Sequence, residues 1–319
     1  MNLIENIEHF FIPPEKTEAG YSFMDVPVST SFYDAEAILY GIPLDATASF
    51  GKGTRFGPQT IRITSAKQIE SFILDHNTEI HDELKIFDIG DFRLPKLKRK
   101  KTDEIFEKIS LNISKINSQI RENNKIPIVL GGEHTISYFT LRSFSKENPI
   151  ILHFDAHRDM KPVYDRMKLC HTTPFYHLIK NEFIKGSNLI QIGIRQSDKE
   201  ENEIAKISGV TTFDAWQIYD NLKEIKQKLR KITDGKKIYI SFDIDVYDIC
   251  YVPCTGTPEP FGLNPFQVVE IIDSISKNSK LVGLEIVEVA MKNGDYREGT
   301  LATQTMYRMF SKLMHKNLK

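Results

Sequence analysis

The segment Ile150-Ile151-Leu152-His153-Phe154-Asp155-Ala156-His157-Arg158-Asp159 opens with an unbroken apolar run just after Pro149 and ends in alternating Asp and His. Continuously apolar strands are expected where helices cover both faces of a sheet. The polar end of this one then falls at the carboxyl end of a strand, where open α/β sheets build their sites. If extended geometry persists there, Asp155, His157 and Asp159 project to one side. Carboxylate oxygen combined with imidazole nitrogen suits Mn, Fe, Co, Ni or Zn.

The same pattern continues in both directions. Short apolar runs predict strands over 35–40, 84–88, 126–130, 150–154, 189–194, 210–213, 237–242 and 280–289. Amphipathic stretches predict helices over 58–72, 102–120, 214–232, 265–276 and 301–312. This alternation predicts an α/β fold on a mostly parallel sheet. With no internal repeat and no long low-complexity linker, residues 35–319 read as one domain. Residues 1–34, with Pro13-Pro14 and little periodicity, read as an arm packed on it.

Two further strand ends carry ligand-capable groups. One is Ser241-Phe242-Asp243-Ile244-Asp245, where two carboxylates share a side and need a cation or protons to compensate them. The other is Leu130-Gly131-Gly132-Glu133-His134-Thr135, where the glycines permit close backbone approach and His134 sits where the next helix begins. His134, Asp155, His157, Asp159, Asp243 and Asp245 exceed what one four-coordinate ion needs. Two divalent ions sharing carboxylates are expected, a pair that lowers the pKa of a bridging water. His171, 12 residues beyond Asp159, is a candidate proton shuttle. Glu288 is a candidate receptor for a cationic group, and Glu285 lies on the opposite face by parity. The Gly- and Pro-rich stretch after Asp245, through Thr255-Gly256-Thr257-Pro258-Glu259-Pro260, reads as an ordered rim.

Bulk properties narrow the function classes. A formal net charge of -1 gives no global field for nucleic acid or an anionic membrane. The run Lys96-Leu97-Lys98-Arg99-Lys100-Lys101 reads as a solvated loop. No apolar stretch reaches membrane-spanning length. Met1-Asn2-Leu3-Ile4-Glu5-Asn6 contains an acidic residue and leads into no apolar run, so it is not read as a secretory signal. Three cysteines do not make a disulfide scaffold, which fits a cytoplasmic location.

The motifs above, together with Gly41-Ile42-Pro43-Leu44-Asp45, Gly53-Thr54-Arg55-Phe56-Gly57-Pro58 and Asp88-Ile89-Gly90-Asp91, occur in an order that resembles the ureohydrolases. That group includes arginase, agmatinase, guanidinobutyrase and formiminoglutamase. The resemblance covers roughly residues 35–310 and is nearest in appearance to agmatinases. It implies an arginase-like three-layer α/β/α fold with a central eight-stranded, mostly parallel sheet. It also implies two Mn2+ ions, with Ni2+, Co2+, Fe2+ or Zn2+ as alternatives allowed by the ligand types. One ion is implied on His134, Asp155, Asp159 and Asp243, the other on His157, Asp155, Asp243 and Asp245. Asp159 would also orient the nucleophile, Glu288 would grip a guanidinium and His171 would transfer protons. His153 is expected to be packed and hydrogen-bonded rather than a ligand. A homo-oligomer, trimer or hexamer, is also implied.

The chain departs from the family pattern around the substrate. Its loop Met160–Cys170 lacks the Asn, Thr and Ser groups of arginases. Lys161, Arg166 and Lys168 would repel a cationic substrate tail if they faced the pocket. Glu285 stands where Asp is frequent, Ala290-Met291 where Asn-Pro is frequent, and Cys170 and Cys254 where Ser and Gly are frequent; small buried thiols are expected at the last two. Agmatine, hydrolysed to putrescine and urea, is the first expectation for the substrate. The alternatives are guanidinobutyrate, arginine, free guanidine or formiminoglutamate, and a catalytically inactive metal-binding structural or regulatory protein.

Overall fold

In the computed structural model, residues 8–25, 31–97 and 102–314 are described. The readings of residues 1–6 and of Lys98-Arg99-Lys100-Lys101, and parts of the arm, lie outside them. The chain begins with β1 (Phe11–Ile12), β2 (Ala37–Ile42), α1 (Gly57–Lys67), a small hairpin of β3 (Phe72–Ile73) and β4 (Thr78–Glu79), and α2 (Ile80–Glu83). It continues with β5 (Ile86–Phe92), α3 (Thr102–Glu122), β6 (Ile126–Gly131), α4 (Ile136–Leu141), β7 (Ile150–Phe154), α5 (Pro174–Lys180) and β8 (Leu189–Ile192). It closes with α6 (Lys199–Ile207), β9 (Thr211–Phe213), α7 (Ala215–Thr233), β10 (Lys237–Asp243), α8 (Pro265–Ser274), β11 (Lys280–Val287) and α9 (Arg297–Leu313).

The main sheet has the order β1-β5-β2-β6-β11-β10-β7-β8-β9. All eight expected strands are present and pair in parallel. The sheet nevertheless has nine strands rather than eight. Phe11–Ile12, from the stretch read as an arm, adds an antiparallel edge strand on β5. Alternate residues feed two apolar layers. Leu152 and Phe154 join Ile240, Ile286 and residues of α7, α8 and α9 on one side. Ile151 joins Val129, Tyr239 and residues of α3, α4 and α5 on the other. Two covered faces explain why β7 reads as continuously apolar.

Local chemistry sets the element ends. Asp198, Asp214 and Asn264 cap α6, α7 and α8, each within a capping box closed by Glu201, Gln217 or Gln267. Helix α4 shows no amphipathic period because all six of its residues are buried. Strand β5 runs past the expected end at 88 because its polar residues are internally neutralised. Arg62 of α1 is fully buried and donates to Asp88 at 2.8 Å and Asp91 at 2.6 Å. The Phe23 amide also donates to Asp88, at 2.9 Å. No helix among the described residues is long and apolar enough to cross a membrane.

Removing Arg62 leaves two carboxylates buried beside β2 without their cation. Arg62→Leu is expected to lower the unfolding free energy by about 3–5 kcal/mol, read by urea denaturation. A loss below about 1 kcal/mol would show that the ion pair is not what holds α1 to β5.

Candidate metal centre

Four strands in the middle of the sheet, β6, β11, β10 and β7, end on the same side. Their exits carry seven of the eight residues singled out from the sequence. His134 follows β6 after Gly131-Gly132. A Cβ at Gly132 would collide with the Leu44 backbone, so this strand end packs directly on the loop after β2. Asp155 lies just beyond β7, Asp243 ends β10, and Asp245 lies in the 3-10 turn Ile244–Val246 that Asp243 caps at 2.8 Å. Glu288 follows β11 with φ of 60°.

The aspartates and histidines converge, though not by strand alternation. The extended geometry stops at Phe154, and Asp159 adopts a left-handed φ of 51°. A turn therefore carries Asp159 back to the site. Around His134 Nδ1 stand Asp155 Oδ2 at 3.0 Å, Asp159 Oδ2 at 3.0 Å and Asp243 Oδ2 at 3.1 Å. Around His157 Nδ1 stand Asp245 Oδ2 at 3.0 Å and Asp155 Oδ1 at 3.4 Å. Asp155 thus faces both clusters, one oxygen to each. Asp243 Oδ1 is occupied by the Asp245 amide.

Proton accounting shows what the first cluster accommodates. Glu285 is fully buried and accepts from Ser137 (2.5 Å) and Ser241 (2.7 Å) on one oxygen, and from Thr140 (2.6 Å) and Tyr239 (2.7 Å) on the other. Ser241 has given its proton to Glu285, so at 3.1 Å it accepts from His134 Nε2–H. Nδ1 is thereby turned toward three carboxylate oxygens. It makes no hydrogen bond to any of them and is a buried polar atom without a partner. Such an orphan ringed by oxygens marks a place for positive charge, and the imidazole–carboxylate set fits a divalent transition metal.

The titration pattern has the same origin. Burial and repulsion from Asp245 and Asp155 hold the Asp243 pKa well above the usual carboxylate range. Burial and Asp155 push Asp159 up to about 7. For His134 and His157, burial disfavours charge, but the surrounding carboxylates outweigh it and raise both pKa values. Asp155, although buried, is held well below its ordinary value by His153, His134 and His157.

His153 approaches the same cluster but faces it as a donor. Gln191 Oε1 accepts from Arg158 at 2.7 Å, which leaves its amide to donate to His153 Nδ1 at 3.2 Å. His153 Nε2 then donates to Asp155 at 2.8 Å, and its ring lies 4.1 Å from that of Phe175. The expected packed, hydrogen-bonded histidine fits this geometry.

Glu288 is buried, accepts the His134 amide at 2.7 Å and has its pKa raised well above normal, by burial first and then by Glu133. The space over its other oxygen exists because residue 256 is glycine; a Cβ there would sit 2.8 Å from it. His171 is buried on the loop before α5. Burial, then His157 and His134, lower its pKa to about 4.

Lys161 and Lys168 of the 160–170 loop are engaged elsewhere. Lys161 pairs with Asp198 and with Glu201 at 3.2 Å. Lys168 lines a separate cavity of about 410 Å³ with Asp103, Glu107 and Lys180. Arg166 is exposed beside the tip of a turn, next to Tyr164. Cys170 is buried as expected, whereas Cys254 is only half-buried.

Several residues that shape the site carry no ligand signature in the sequence. Ser241 and Glu285 orient His134. Glu259 places Oε1 3.7 Å from His157 Nε2 at the half-open rim. Arg195 donates to the carbonyls of Asp245, Tyr247 and Glu259 and so fixes that rim. Glu133, beside His134, anchors the loop after β2 through Ala46 and Thr47. Glu133, Ser241 and Glu259 lie within the quoted motifs, Glu285 lies on the strand that leads to Glu288, and only Arg195 falls outside every motif.

Comparisons with known proteins agree with this architecture. Agmatinase of Bacillus anthracis is 35% identical over 264 residues, 82% of this chain and 85% of its own. The structure of proclavaminate amidino hydrolase from Streptomyces clavuligerus matches with a TM-score of 0.80 at 26% identity, over 93% of this chain and 98% of its own. That of formimidoylglutamase from Bacillus subtilis matches with a TM-score of 0.76 at 26% identity, over 99% and 100%. The family model described as the arginase family matches residues 35–311, and the chain belongs to that family.

Proposed function

We propose that this protein hydrolyses a guanidino C–N bond and releases urea, with agmatine, yielding putrescine, as its first substrate. The observation that carries this reading is His134 Nδ1, buried without a hydrogen-bond partner among Asp155, Asp159 and Asp243. In this reading His134, Asp155, Asp159 and Asp243 hold one divalent cation, and His157, Asp155, Asp243 and Asp245 hold a second. Manganese is proposed for both. Bound there, such a pair supplies positive charge and acidifies water.

The chain's own groups have distinct parts in this scheme. Glu288, buried and short of positive charge, receives the guanidinium, whose charge compensates it. Asp159 accepts a hydrogen bond from the attacking water and orients it. His171, neutral at ordinary pH, accepts a proton as the water adds and returns it to the departing amine. The products are urea and the protonated amine, so proton and atom counts close.

Charge at the rim supports a substrate with a cationic tail. Lys161 is already paired, whereas Glu259 stands half-exposed at the mouth with its backbone fixed by Arg195. A carboxylate-tailed substrate would meet that charge unfavourably. Family resemblance further leads us to propose a trimer or hexamer, and the cysteine count and near-zero net charge lead us to propose a cytoplasmic location with no nucleic-acid or membrane partner.

Urea release from a panel of agmatine, guanidinobutyrate, arginine and guanidine tests the reaction. Agmatine is expected to give the highest kcat/KM, and Asp243→Ala is expected to abolish turnover and lower bound metal below two ions per chain. Formamide and glutamate from formiminoglutamate, with no urea from any guanidino compound, would overturn the substrate class. No turnover on the whole panel with Mn, Ni, Co, Fe or Zn would instead favour the inactive metal-binding reading.

Glu259→Gln is expected to raise KM for agmatine roughly three- to fivefold, the scale of a partly exposed ion pair. KM for guanidinobutyrate should stay level or fall. Equal changes for both substrates would show that Glu259 does not read the tail's charge.

A further inference from the structure

We propose that Thr47 is a positioning residue that relays Glu133 to His171 and fixes the proton of His171 on Nδ1, leaving Nε2 as its basic atom. This deepens the reading of His171 as proton carrier and rests on it for its catalytic consequence.

Lone pairs decide which nitrogen carries the proton. Glu133 is fully buried. Its Oε2 accepts the amides of Ala46 at 2.5 Å and Thr47 at 2.7 Å. Its Oε1 accepts the hydroxyls of Thr47 and Thr135, each at 2.6 Å. Both hydroxyl protons are thereby committed, so the 3.4 Å approach of Thr47 to Thr135 carries no proton between them. Thr47 Oγ1 retains two lone pairs. One takes the backbone N–H of His171 at 3.1 Å. The other faces His171 Nδ1 at 3.2 Å. With its own proton on Glu133, Thr47 can meet that ring nitrogen only as an acceptor, so Nδ1 carries the hydrogen.

The other side of the ring is complementary. Ser49 Oγ lies 3.3 Å from Nε2 and can donate to its lone pair. Tyr164 stands edge-on to the ring at 5.9 Å. Thr47 and Ser49, two residues apart on one loop, therefore contact the two nitrogens of one imidazole. The depressed pKa of His171 agrees with a neutral ring, for which the tautomer decides which atom takes a proton. A hydroxyl between carboxylate and imidazole here takes the orienting part that a carboxylate plays directly in a Ser-His-Asp triad.

The test is a long-range 1H–15N correlation spectrum of the zinc-loaded, diamagnetic enzyme with 15N-labelled histidine, His171 being assigned from His171→Asn. Wild type is expected to show one neutral form with the proton on Nδ1. Thr47→Val should give a mixture of tautomers and lower kcat about 10- to 100-fold, with KM within about twofold. Thr47→Ser should restore the single tautomer and most of kcat. A proton on Nε2 in wild type, or a Thr47→Val spectrum identical to wild type, would overturn the relay. Because the tautomer is read without substrate, it decides the relay even if no guanidino compound is hydrolysed. That second failure would sink the proposed reaction and leave the relay standing.

Discussion

The structure depends on how negative charge is tolerated beyond the ends of four central strands. Asp155, Asp159, Asp243 and Asp245 are buried together, and among the described residues the imidazoles of His134, His157 and, at Asp155 alone, His153 directly face them. Bringing like charges together away from water is unfavourable without a compensating cation or protons. The raised pKa values of Asp243 and Asp159 express that shortage.

Several other buried acids of the same fold, by contrast, are well served. Glu285 has four hydroxyl donors, Glu133 two amides and two hydroxyls, and Asp88 and Asp91 share the Arg62 guanidinium. These satisfied acids also hold the unsatisfied ones in place. Glu285 turns His134 through Ser241, and Glu133 ties the β6 exit to the loop that carries Thr47 and Ser49. Supporting partners of this kind set ligand orientation and basicity in metal sites. Rigid support without an internal counter-charge is the preparation a cation-binding centre requires.

Much of this was legible in the sequence, and the limits have physical causes. The eight parallel strands were marked by apolar runs because both sheet faces are covered. The six ligand-capable residues were marked by residue type at strand ends. Periodicity failed where burial was complete, as in α4, and where charge was neutralised inside the sheet, as in β5. The two-residue edge strand Phe11–Ile12 is too short to show alternation. Tertiary pairing decided the orientation of Lys161, whose partners Asp198 and Glu201 lie nearly 40 residues away. The partners of His171 and His134 were equally illegible. Threonine and serine carry no sequence signature for a relay, and only three-dimensional proton accounting assigns their direction.

The substrate side is less determined than the cation side because it is built from a rim rather than from strand ends. Glu288 and His171 flank the centre, while Glu259 places a carboxylate at its mouth. Anomalous diffraction from crystals grown with manganese tests the paired cation centre. Two anomalous peaks about 3.5–4 Å apart are expected, one bonded to His134 and one to His157. A single peak, or none between those two histidines, would contradict it.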